Sequence, residues 1–125
     1  MAEKPSLRLL FPRASRLKFR GEFARAKAEG RRLVCGCLIA NVLPRPRGQT
    51  SRLGVVTSKK IGGAVARSRA RRLLRESFRL HQRELVRPVD LVLVARPSIA
   101  GKKLAEVEID LIRVLRQARL DVVCE

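Results

Sequence analysis

The sequence predicts an α+β fold: one domain in which helices pack on a single small mixed sheet of three to four strands. Three observations predict it. Apolar residues recur at helical spacing in three separate segments, strand-forming apolar runs stand between those segments, and the order reads helix, strand, strand, helix, strand, helix. At 125 residues the chain suffices for one core and is too short for two. Residues 1–125 are therefore read as a single domain, with an extended arm at 1–15, a folded body at 16–120 and a tail at 121–125.

Taken in order, residues 1–15 hold Pro5 and Pro12 among basic and apolar residues of no clean period, which suits an arm. Phe19, Phe23 and Ala26 follow at intervals of four and three, so a short helix is expected from Arg20 to Glu29 with Gly30 as its stop. Leu33 to Leu43 is apolar and rich in strand formers, and Gly36 inside it marks a bulge or bend that would split it. Pro44, Pro46 and Gly48 end that run. Leu53 to Thr57 makes the next strand, expected to pair with the first as an antiparallel hairpin across PRPRGQTS. Ser58 to Gly63 then leads into a helix from Ala64 to Leu80. After Arg87 and Pro88, Val89 to Ala95 reads as a buried strand ended by Pro97. From Lys102 to Leu120, residues Leu104, Val107, Leu111, Val114, Leu115 and Ala118 trace one helical face. Glu106, Glu108 and Asp110 sit near its positive start, and Arg113, Arg116 and Arg119 near its negative end.

Composition narrows function. The net charge is +18, with 29 basic residues against 11 acids; by count 22 of the 29 are Arg. Such an excess opposes compaction unless a polyanion neutralises it, and the Arg bias favours phosphate, which a planar guanidinium grips with two hydrogen bonds. Nucleic acid is the partner this implies. No apolar stretch reaches membrane-spanning length and the first residues lack a secretory pattern, so a cytoplasmic protein with no membrane partner is expected. Cys35, Cys37 and Cys124 form no pair of CxxC units, which argues against a disulfide framework or a zinc site; Cys35 and Cys37 read as buried small residues. Acids are scattered and His81, the only histidine, has no evident partner in the sequence, so protein-borne nuclease chemistry is not expected. No catalytic residue and no metal ligand is assigned.

The helix from Ala64 to Leu80 carries the sharpest signal. Ala66, Ala70, Leu73, Leu74 and Phe78 share one face, while Arg67, Arg71, Arg75 and Arg79 lie four apart along its flank and Arg69 and Arg72 extend the basic surface behind. Glu76 is the only acid among them. Like charges at this spacing cost an isolated helix roughly a few tenths of a kcal/mol per pair, a cost that a phosphate backbone would relieve. Before the helix, Ser58, Lys59, Lys60, Gly62 and Gly63 offer ammonium groups and backbone N–H groups at a positive helix start.

The run SKKIGGAVARSRARRLLRESFR, Ser58 to Arg79, resembles the signature of the protein subunit of bacterial ribonuclease P. The family's Ser-Lys-Lys-x-Gly falls on Ser58 to Gly62, its Arg-Asn-Arg-x-Lys-Arg on Arg67 to Arg72, and its Arg-Glu-x-Phe-Arg on Arg75 to Arg79. Ser68 replaces Asn and Arg71 replaces Lys. RLKFRGEFARAKAEGRR, SRLGVVTSKK and VDLVLVAR resemble family segments in the same order, whereas the arm and the residues after Arg119 match little. The resemblance implies a ribonucleoprotein enzyme whose catalytic RNA removes the 5′ leader of precursor tRNA with bound magnesium. The protein would bind that RNA and the leader, hold no cofactor, need no protein partner and cleave nothing alone. It further implies a left-handed βαβ crossover through the arginine helix, RNA contacts at Ser58, Lys59, Lys60, Arg67, Ser68, Arg69, Arg71, Arg72, Arg75 and Arg79, and a leader cleft between the first helix and the open sheet face. In that cleft Phe23 matches a family Phe, Lys27 stands where an aromatic is usual, and Asn41 where a tyrosine is usual; Phe19 is the other ring in reach. Core packing is the competing role for Phe19 and Phe23, and the assigned role for Phe11 and Phe78. The functional alternative is a ribosome-associated or RNA-chaperone binding module.

Overall fold

The computed structural model describes residues 16–17, 20–82 and 85–118. The expected arm at 1–15, Phe11, Phe19, Cys124 and the tail lie outside the described residues. Among the described residues three helices and four strands form: α1 (Arg20–Glu29), β1 (Arg31–Cys35), β2 (Leu38–Pro44), β3 (Arg52–Val56), α2 (Ala64–His81), β4 (Val89–Ala95) and α3 (Leu104–Gln117). Short 3-10 turns at Lys59–Ile61 and Pro97–Ile99 lead toward α2 and α3. Among the described residues no helix is long and apolar enough to cross a membrane.

The sheet order is β1-β2-β4-β3, with β1/β2 and β2/β4 antiparallel and β3/β4 parallel. The mixed sheet was expected; the pairing of β3 was not. Gly36, at φ +57, turns the apolar run back on itself, so the hairpin forms inside it, between β1 and β2. β3 instead lies at the far edge, parallel to β4. The reason is β4 itself: in Val89–Ala95 six of seven residues are buried, on both faces, and such a strand is stable only at the centre of a sheet with neighbours on both sides. The segment 45–51 is therefore a crossing past the start of β4, where the Arg45 N–H bonds the Pro88 carbonyl at 2.9 Å.

Alternation along β4 divides the interior. Val89, Leu91, Leu93 and Ala95 face the main core, shared with Ala70, Leu74 and Phe78 of α2 and with Val107, Leu111, Val114 and Leu115 of α3. Val92 faces the opposite side, where Leu17, Ala26 and Leu43 make a smaller cluster beneath α1. Two helices thus cover one face, and α1 covers part of the other.

The turn at Gly36 depends on α3. The Asp110 carboxylate accepts the Cys37 N–H at 3.0 Å and occupies the place a Cβ at position 36 would take, with Oδ2 2.2 Å away. Asp110 therefore serves the hairpin rather than the helix dipole. Glu108 is also committed elsewhere: its Oε1 lies 2.8 Å from His81 Nε2, which supplies the partner the sequence did not suggest. Only Glu106 works locally, accepting the Lys103 N–H at 2.8 Å at the start of α3. Cys35 and Cys37 are buried in the main core; burial and then the neighbouring Asp110 push the Cys37 thiol up to about 12, which leaves it protonated and inert.

Candidate RNA interface

The apolar stripe of α2 sets where its arginines go. With Ala70, Leu74, Ser77 and Phe78 buried against the sheet, Arg67, Arg71 and Arg75 project along the flank beside the β3 edge, and Arg69 and Arg72 along the other. Arg71 is anchored, donating to Thr57 Oγ1 at 2.8 Å just past β3 and to Ser68 Oγ at 3.2 Å. The guanidinium of Arg75 is held below its ordinary pKa, first by desolvation and then by repulsion from Arg16 and Arg71. Arg16 reaches this cluster because it bridges Leu53 on the outer edge of β3.

On the second flank Arg69 donates to the Lys102 carbonyl, and Arg72 is exposed with no hydrogen-bond partner among the described residues. Arg79 differs from the rest. It is half-buried and chelated by Glu76, with Nε 3.1 Å from Oε1 and a second bond from Nη2 to Oε2. That contact lowers the Glu76 pKa and raises that of Arg79. Acid thus offsets one arginine of six, at the end of α2 farthest from the Ser58 loop.

The loop is built by local chemistry. Ser58 Oγ accepts the Lys60 N–H at 3.3 Å and caps the turn Lys59–Ile61, leaving both lysines exposed. Gly62 closes it at φ +141, where a side chain would be strained and its Cβ would stand 3.0 Å from that of Ala66. Gly63 precedes α2 without a side-chain cap and there is no acid in the first turn, so nothing from those side chains competes for the helix-start N–H groups.

On the opposite face a groove of about 450 Å³ runs between α1 and the sheet. Phe23, Lys27 and Asn41 all line it, joined by Arg20, Arg32 and Val94. The structure brings these three expected residues together. Phe23 is half-buried against the small cluster and also lines the groove. Its ring sits on Gly54, where a Cβ would lie 2.5 Å from Cε1, so the ring's position requires glycine in β3. Asn41 is 5% exposed, and its Oδ1 is buried with no hydrogen-bond partner among the described residues.

Sequence reasoning missed what positions this groove. Arg52 in β3 donates to both Asp90 oxygens, at 2.8 and 2.7 Å, and to Glu22 of α1 at 2.7 Å, tying two strands and the helix together. A signal existed: Asp90 is the lone acid in an apolar strand, and a buried carboxylate requires a cation. Among the described residues no three His, Cys, Asp or Glu gather as a metal site.

A family model described as Ribonuclease P matches residues 11–119. The chain belongs to the ribonuclease P family. A protein of Gluconacetobacter diazotrophicus named "Ribonuclease P protein component" is 41% identical over 107 residues, covering 85% of this chain and 92% of that one. Among solved structures, the RNase P protein of Staphylococcus aureus aligns with a TM-score of 0.77 at 25% identity, over 86% of this chain and 97% of that one. That of Thermotoga maritima aligns at 0.71 and 27%, over 82% and 96%. The ribonuclease P match spans the Ser58 loop, α2 and the α1 groove alike, so the resemblance read from the arginine motif extends over the whole described fold.

Proposed function

We propose that this chain grips RNA on two faces, with α2 and its loop holding the catalytic RNA of a ribonuclease P holoenzyme and the α1 groove holding the 5′ leader of precursor tRNA. Family membership makes the chain a ribonuclease P protein component. The observation that carries the reading is the arginine array of α2, in which acid offsets Arg79 and leaves Arg67, Arg69, Arg71, Arg72 and Arg75 for a polyanion.

Chemistry then belongs to the RNA subunit and its magnesium, and the protein contributes charge and position in the cytoplasm. The Ser58 N-cap presents Lys59 and Lys60 beside the helix start, a setting for phosphate. Ser68 Oγ accepts a bond from Arg71 here, and so holds that guanidinium at the flank. In the groove one ring, Phe23, can stack on a base, while Lys27, Arg20 and Arg32 supply charge and guanidinium stacking where other aromatics are usual.

Reconstitution tests this. With the catalytic RNA at low magnesium, the protein should accelerate leader removal, and Arg67→Ala with Arg71→Ala should weaken assembly and lower its salt slope by about 1.8, at roughly 0.9 per phosphate contact. RNA binding without any acceleration would instead favour a ribosome-associated or chaperone module. Cleavage by the protein free of RNA would overturn the assignment of chemistry to the RNA.

A further inference from the structure

The α1 groove and the α2 flank leave unused a hollow of about 960 Å³, more than twice the groove's volume, where β4 begins and α3 ends. Val42, Pro44, Pro88 and Val89 make its walls apolar. Arg31, Arg45, Arg47 and Arg87 surround them.

Among the described residues the charge there is poorly offset: Glu29 is the acid on this rim, and it pairs with Arg25 at 3.3 Å. Arg31 donates to the Gln117 carbonyl at 3.2 Å, and Arg45 to the Thr50 carbonyl; neither acceptor carries a formal charge. Arg45 also approaches Asp90 at 3.5 Å, but Arg52 already holds that carboxylate with two bonds. The side chains of Arg47 and Arg87 have no hydrogen-bond or ion-pair partner among the described residues. Beside them Val86 stands 46% exposed on a ridge, with a second hollow of about 290 Å³ behind it that Arg87 and Pro88 also line.

Two requirements on a ligand follow. Gathered guanidinium groups require anionic charge, and bidentate guanidinium geometry suits phosphate. Apolar walls and an exposed Val86 require a flat or apolar body, which a base provides and the phosphate ridge of a duplex does not. We infer that this hollow is a second RNA site, taking one or two nucleotides of a single strand with bases against Val86 and Pro88 and phosphates on Arg47 and Arg87. It lies on the other face of the sheet from the leader groove. Val42 and Arg31 here are chain neighbours of Asn41 and Arg32 there, and alternate strand residues point to opposite sides, so a strand of RNA held here is not the one held in the groove.

This inference rests on the RNA-binding reading above, and its test separates the two. Uridine 5′-monophosphate added to the full chain should shift the methyl resonances of Val42, Val86 and Val89 saturably, and Arg47→Gln with Arg87→Gln should abolish those shifts. Binding of an unstructured oligouridylate should lose about 1.4 in salt slope in that double variant, at roughly 0.7 per single-strand contact, and about half as much in either single variant. A control removing two charges elsewhere, Lys103→Gln with Arg113→Gln, should leave the slope unchanged. Shifts confined to Val56, Val92 and Val94 of the groove, or equal slope loss in the control, would overturn the site. So would equal shifts from a hexaglutamate peptide, which would point to an acidic protein partner. If Arg67→Ala with Arg71→Ala weakens RNA binding while the rim variants do not, this site alone fails and the subunit reading stands; if neither set has any effect, both fail.

Discussion

α2 and α3 pack side by side on the same face of the sheet, each burying one apolar stripe and each ending in basic residues, yet their starts are charged in opposite senses. α3 opens with Glu106 in its first turn and closes with Arg116 in its last, the order the helix dipole favours. α2 has no acid in its first turn and carries Arg67 and Arg69 within its first six residues, charges that oppose its own dipole. One helix is charged for its own stability, the other for something outside the chain.

Four measurements would break or sharpen that contrast. The largest effect should be the same in both helices, because their buried stripes do the same work: Leu74→Ala and Leu111→Ala, each at a residue fully withdrawn from water, should each cost about 2–5 kcal/mol by urea unfolding. A marked inequality would mean that one helix is only loosely docked. Charge should then divide them. Glu106→Gln should destabilise by roughly 0.5–1 kcal/mol, through the lost dipole interaction and the weakened bond to the Lys103 N–H. Arg75→Gln should do the reverse, gaining about 0.2–0.5 kcal/mol by removing like-charge neighbours while lowering the salt slope of RNA binding by about 0.9. Loss of stability in that variant would show that the array supports the fold.

The smallest effect concerns pH. The Glu76 pKa is depressed by Arg79, so its contribution is fully present above the unfolded carboxylate pKa and is lost as pH falls through the lower folded value. Partial exposure and screening keep it small. Glu76→Gln should flatten that acidic limb of the stability profile by slightly lowering stability at neutral and alkaline pH, where the carboxylate acts, while leaving stability below its folded pKa unchanged.

Most of the element boundaries were legible because periodicity is local. α1 and β4 fall where the sequence places them, and α2 runs one residue longer than expected. Pairing was not legible. Which strand neighbours which depends on β4 needing partners on both edges, a property of the assembled sheet that no single run of residues expresses. The α2 arginines could be read in advance since one helix carries them all, whereas the groove collects Phe23, Asn41 and Val94 from three elements, and its support, Arg52 with Asp90 and Glu22, joins residues up to 68 positions apart. The three acids of α3 teach the same lesson. They look alike in sequence, yet one serves the dipole, one His81 and one the Gly36 turn.

The central place of β4 also governs when the molecule acquires its binding surfaces. Its partners in β2 and β3 precede it by dozens of residues, so neither can gain its central neighbour until the segment ending at Ala95 arrives. Pairings so distant close slowly and late. Until then α2 has arginines but no platform and α1 has a ring but no groove wall, and a single closing event creates both at once.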